Sequence, residues 1–179
     1  MAFALYLDNY DDRMPDRREL KSSLPGGFKP WTGWPTSDPR AGWTLDLLTP
    51  YGLRTITACP SARGKFGEEV RVLQRGASGG ESAYWMWRFD RPDDPVPLDN
   101  FWGKTPDQAV DDLITANNPQ AGQPNGVAEV ELAVDPYFPS TISTVPTNLK
   151  GKTSHFDGRN RLFLDSHAAF LHDSRTKGP

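Results

Sequence analysis

Proline and glycine set the first limit on this chain: 17 Pro and 16 Gly among 179 residues leave little room for long uninterrupted helices or strands. This share exceeds the ordinary level yet stops short of the range typical of disorder, so a loop-rich globular domain is expected. A chain of this length fits one domain with one sizeable core. The longest apolar run, Ala2 to Leu7, falls far short of the roughly 20 residues that span a bilayer. Twenty Lys plus Arg against 23 Asp plus Glu give a net charge of −3, which offers no basic field for phosphates, so no nucleic-acid partner is expected. Cys59 is the sole cysteine, which excludes an internal disulfide and any multi-cysteine zinc site.

Residues 2 to 12 read as a helix from the spacing of Phe3, Leu7 and Tyr10, with the pattern stopping at Pro15. No N-cap residue or polar turn opens it, so it reads as the end of a longer helix. Between Leu24 and Pro50, proline and glycine punctuate an irregular stretch pinned by Trp31, Trp34 and Trp43, with a short helix at Trp43 to Leu48. Residues 52 to 58 read as a strand. Glu69 to Gln74 and Ser82 to Phe89 read as a hairpin around the glycine loop RGASGGE.

The clearest local signal is Thr105-Pro106-Asp107-Gln108, a capping box with Pro at the first helical position, leading into Ala109, Val110, Leu113 and Ile114 on one face. It predicts a helix of about three turns ending near Asn117. Val130, Leu132 and Val134 alternate with polar neighbours as a half-buried strand closed by Asp135-Pro136. Arg161 to Leu171 reads as a hairpin turning at Asp165-Ser166-His167. The fold class expected is α+β: an N-terminal helix packed on a small antiparallel sheet, with one further helix near 105–117.

Several constellations have the chemistry for a site. Gly76-Ala77-Ser78-Gly79-Gly80 spells the G-x-S-x-G of a nucleophile elbow, but it lacks the strand-to-helix context, and a flexible hairpin loop is the expected reading. His155, Asp157, Asp165, His167 and His172 offer imidazole and carboxylate to a transition metal without helical ligand spacing, so hydrogen bonding within turns is the expectation. Asp8, Asp11 and Asp12, and Asp93 and Asp94 in RPDDP, are hard oxygen donors without EF-hand spacing. Calcium is the cofactor considered, with Asp93, Asp94, Asp157 and Asp165 as candidate ligands. Six Trp, with Trp85 and Trp87 on one side of a strand, serve either as core or as a sugar-stacking platform.

Two segments together go beyond composition: LYLDNYDDRMP at residues 5–15, and SHFDGRNRLFLDSHAAFL at 154–171, in which His155 is followed by nine residues and then Asp165. They resemble the bacterial pilin-like family related to type II secretion pseudopilins, whose members carry a terminal "His, nine residues, Asp-Gly" signature and a helix ending like LYxxDYDxRxP. Trp43 to Leu48, followed by Ala58-Cys59-Pro60-Ser61, is similar to another portion of that family. Ser166 stands where the family has Gly, at a turn position where a positive φ costs a serine more.

The resemblance implies a non-enzymatic filament subunit, of the type IV pilus or type II secretion pseudopilus kind, located at the cell envelope or outside the cell. Residues 1–14 would be the end of the spine helix and 15–179 one head domain. Neighbouring copies and other pilin-like subunits would be the partners, and an upstream apolar helix would insert in the membrane. That upstream helix would also offer Cys59 a disulfide partner. His155, Asp157, Gly158, Asp165 and His167 form the structural signature, and major pseudopilins bind calcium near their C-terminal loops. The alternative is an extracellular ligand- or carbohydrate-binding module using exposed Trp. A hydrolase working through loop-borne Asp or His is the third reading.

Overall fold

The computed structural model describes residues 1–16, 18–19, 34–35, 37–52, 59–66, 82–91, 98–119 and 122–176. They form an α+β fold. Helix α1 (Ala2–Asn9) comes first, then a short α2 (Thr44–Leu48), α3 (Pro106–Ala116), and strands β1 (Glu131–Val134), β2 (Gly158–Phe163) and β3 (Ala168–His172). The three strands make an antiparallel sheet in the order β1-β2-β3.

Helix α1 buries Phe3, Tyr6 and Leu7, one stripe at helical spacing. It packs on α2 and on the turn Thr49–Tyr51, where Tyr51 meets Tyr6 edge to face at 5.8 Å. The same core reaches the sheet through Leu132 and Leu164, and an apolar cavity of about 330 Å³ opens among Phe3, Leu45, Leu48, Leu132 and Leu162. Two expectations change here. The helix stops at Asn9 rather than running to Asp12, because the Tyr10 and Asp12 N–H groups both turn back to the Leu7 carbonyl while Asp11 and Asp12 adopt left-handed φ of 52° and 57°. Tyr10 is not against the strands; it stacks on Tyr6 at 4.3 Å and stays 51% exposed.

Helix α3 starts where the sequence signals it. The Gln108 N–H donates to Thr105 Oγ1 at 3.2 Å and the Thr105 N–H donates to Gln108 Oε1 at 3.0 Å, so two N-terminal donors are satisfied reciprocally. The helix ends at Asn117 in the left-handed region.

Residues 82–89 are not one strand of a hairpin. Trp85 alone pairs, bridging Arg40 on one side and Val134 on the other, and the chain then coils into a 3-10 turn at Trp87–Phe89. The aromatic rings decide this: Trp85 packs on Phe138 in a second core, while Phe89 packs on Trp43 and Trp102 in the first, so successive rings serve two different cores. The expected strand segments at 53–58 and 69–74, and the glycine loop 75–81 with its G-x-S-x-G spelling, lie outside the described residues.

β1 and β2 pair with an irregularity between Glu131 and Ala133, whereas β2 and β3 pair without a break from Gly158↔His172 to Leu162↔Ala168. Gly158 is required at the start of β2 by close approach: a Cβ there would collide with the Leu171 carbonyl oxygen and the Phe170 ring. Beyond β3, Asp173 is buried between Arg159 (2.6 Å) and Arg175 (2.6 Å) and ties the last turn to β2.

Candidate functional site

The terminal signature divides into two places. At the β2–β3 turn, Asp165 Oδ1 accepts the His167 backbone N–H at 3.1 Å and lies 2.6 Å from His167 Nδ1, while the His167 ring stacks on Phe163 at 4.3 Å. Ser166 takes the left-handed φ of 71° that the turn demands. The His167 N–H, followed by its side chain, holds the Asp165 carboxyl below its ordinary range. At the other end of the hairpin, Asp157 Oδ1 lies 3.3 Å from Nδ1 of the exposed His172.

This placement divides the calcium candidates. Asp157 and Asp165 sit at opposite ends of β2, about 20 Å apart at the rise of a strand, and cannot share an ion. His155 and His167 are separated in the same way. Asp93 and Asp94 lie outside the described residues, and Asp8, Asp11 and Asp12 are exposed at the end of α1.

The structure gathers a different group. Cys59 caps a 3-10 turn begun by Pro60, Asp135 directly follows β1, and His155 sits in the turn that bridges to Gly158 at the start of β2. Cys59 Sγ lies 3.2 Å from His155 Nε2, and Asp135 Oδ2 lies 3.2 Å from the same nitrogen. Asn160 holds the carboxylate, donating its backbone N–H at 2.9 Å and its side-chain amide at 3.1 Å to Oδ2, and that amide nitrogen is also 2.8 Å from His155 Nε2. Cys59 and Asp135 are buried; the His155 side chain is 29% exposed. Burial, with the neighbouring Asp135 and Cys59 charges, pushes the Tyr84 hydroxyl up to about 12.

Among the described residues, Cys59, Asp135 and His155 are the group of metal-ligating side chains close enough to hold one ion. Sequence reasoning marked His155 but took Asp135 for a strand end and gave Cys59 a disulfide partner on an upstream helix. The spacing carries no local signal, because Cys59 and His155 are 96 residues apart. The arrangement is not a nucleophile–base–orienter relay. In such a relay the thiol and the carboxylate use opposite ring nitrogens, whereas here both face Nε2.

The tryptophans also resolve. Trp43 and Trp85 are fully buried, whereas Trp34 and Trp87 are half-buried at the wall of an open cleft of about 1060 Å³ shared with Tyr137, Arg88, Arg159 and Arg175. The Arg159 guanidinium lies over the Tyr137 ring at 3.6 Å. Trp31 is outside the described residues. Comparison with protein-family models, with curated proteins and with solved structures finds no match to this chain.

Proposed function

We propose that this chain is the globular head of a filament-forming, pilin-like or pseudopilin-like subunit, a structural and non-enzymatic protein of the cell envelope whose partners are further subunits of its kind. One observation supports the reading above others. A short helix that ends within the LYLDNYDDRMP pattern shares one core with a small antiparallel sheet, and the His155–Asp165 segment supplies β2, the middle strand of that sheet. Leu5 on that helix is an exposed apolar residue, 41%, suited to meet a neighbour. Among the described residues no helix is long and apolar enough to cross a membrane. The test is immunogold labelling of sheared surface filaments with antibody against this chain. Labelled filaments are the expected result; recovery of the chain only from the cytosolic fraction overturns the proposal.

A second reading rests on the open cleft, where Trp34, Trp87 and Tyr137 stand beside arginines and the carboxylates Asp90, Asp99, Glu129 and Glu131, rings and polar groups fit for stacking a sugar. Titration with oligosaccharides while tryptophan fluorescence is followed tests it. A saturable quench that is lost in Trp87→Ala is the expected outcome for a binding module, and no change sets that reading aside.

A further inference from the structure

Three lone-pair donors of different chemistry, Cys59 Sγ, Asp135 Oδ2 and His155 Nε2, converge on one point beside His155. With a proton on Nε2, the ring N–H faces the Asn160 amide donor at 2.8 Å. With Nε2 bare, it stands 3.2 Å from Asp135 Oδ2, and the two N–H groups of the Asn160 amide serve one acceptor each. Reversing the Asn160 amide only moves the conflict, because its oxygen then faces Asp135 Oδ2 at 3.1 Å. The second carboxylate oxygen, Asp135 Oδ1, is itself buried without a hydrogen-bond partner. Three ligand atoms at this spacing, beside a buried carboxylate oxygen left without a donor, suit a cation.

We propose that Cys59 Sγ, Asp135 Oδ2 and His155 Nε2 bind one thiophilic divalent transition-metal ion, Zn²⁺ by its chemistry, with the fourth coordination position open to water. Thiolate with imidazole selects zinc over calcium or magnesium, which take oxygen donors. Ligands of a tetrahedral zinc, at about 2.0–2.3 Å from the ion, stand about 3.3–3.6 Å from one another. Here two pairs stand at 3.2 Å, and all three atoms lie within 4.8 Å. On binding, the Cys59 S–H bond breaks, the sulfur–metal bond forms and the proton leaves to solvent, while the Asn160 side-chain amide turns out of the site and its backbone N–H keeps orienting the Asp135 carboxylate. The half-exposed His155 side gives the ion its way in. The ion would join three segments that the backbone leaves far apart in sequence, the turn at Cys59, the end of β1 and the entry to β2, independently of whether the head belongs to a filament.

Co²⁺ titration of the chelator-treated chain provides the test. The expected result is one equivalent bound with a thiolate-to-cobalt charge-transfer band that Zn²⁺ bleaches, and at least a tenfold loss of affinity in Asp135→Asn. Since a variant at the buried cysteine risks misfolding, the unaltered chain supplies a second readout: Zn²⁺ should slow alkylation of Cys59 at least tenfold, and Ca²⁺ should not. Absence of the band in the folded chain, a band unchanged in Asp135→Asn, or alkylation indifferent to Zn²⁺ overturns the proposal.

Discussion

Of the three histidine–aspartate pairs in the last third of this protein, two differ in almost every physical respect. His167 and Asp165 are two residues apart on an exposed turn, and the carboxylate is occupied by a backbone N–H as well as the ring. His155 and Asp135 come from different elements; the aspartate is 1% exposed, one of its oxygens has no hydrogen-bond partner, and a thiol competes for the same ring nitrogen. The local pair completes a turn with its own bonding satisfied. The distant pair remains incompletely satisfied, and that residue of unmet bonding makes a site.

Asp173 calibrates this comparison, since it is a buried carboxylate with every need met by Arg159 and Arg175. Asp173→Ala leaves two guanidinium groups without their partner and should cost about 3–5 kcal/mol in denaturant unfolding, the largest effect expected. The pH dependence follows with its sign. Arg175 first, then Arg159, holds the folded Asp173 carboxyl far below its ordinary value, so its contribution is fully present above about pH 4. It should fade as the pH falls further toward the depressed folded value. Asp173→Asn should flatten the acid limb of the stability profile; an unchanged limb would mean that the pair contributes nothing to acid unfolding.

Asp135→Ala in metal-free protein comes next, at about 1–2 kcal/mol, because the part-buried Asn160 backbone N–H loses its acceptor. Zn²⁺ in hundredfold excess over its dissociation constant should add about 2.7 kcal/mol to the native chain and much less to that variant. Asp165→Ala should have the smallest effect of the three, a modest fall in unfolding midpoint with no dependence on zinc, because solvent replaces what the exposed turn loses. If Asp165→Ala destabilised more than Asp135→Ala, the contrast drawn between local and distant pairs would fail.

Capping and turn chemistry were legible in the chain because partner and target are neighbours. Thr105 and Gln108 are three residues apart, and Asp165 and His167 are two apart, so any fold containing these segments meets the same local geometry. The strand at Val130 to Val134 was readable for a similar reason, as alternation survives without knowledge of the partner strand. The aromatic stretch at 82–89 was misread as a strand. Ring size signals burial but not which of two cores receives each ring, and Trp85 and Phe89 go to different ones.

The sequence by itself determined the short elements, their caps and turns, and the α+β class, since those follow from interactions across two to four residues. Only the tertiary structure decided that Asp157 and Asp165 stand apart while Cys59, Asp135 and His155 meet. Hairpin register separates the first pair along a rigid strand. Burial of Cys59 in the second core, beside Val134 at the end of β1, carries its thiol across 96 residues of chain to His155. Such a meeting depends on how apolar side chains divide between two cores, a property of the packed whole that no local pattern encodes.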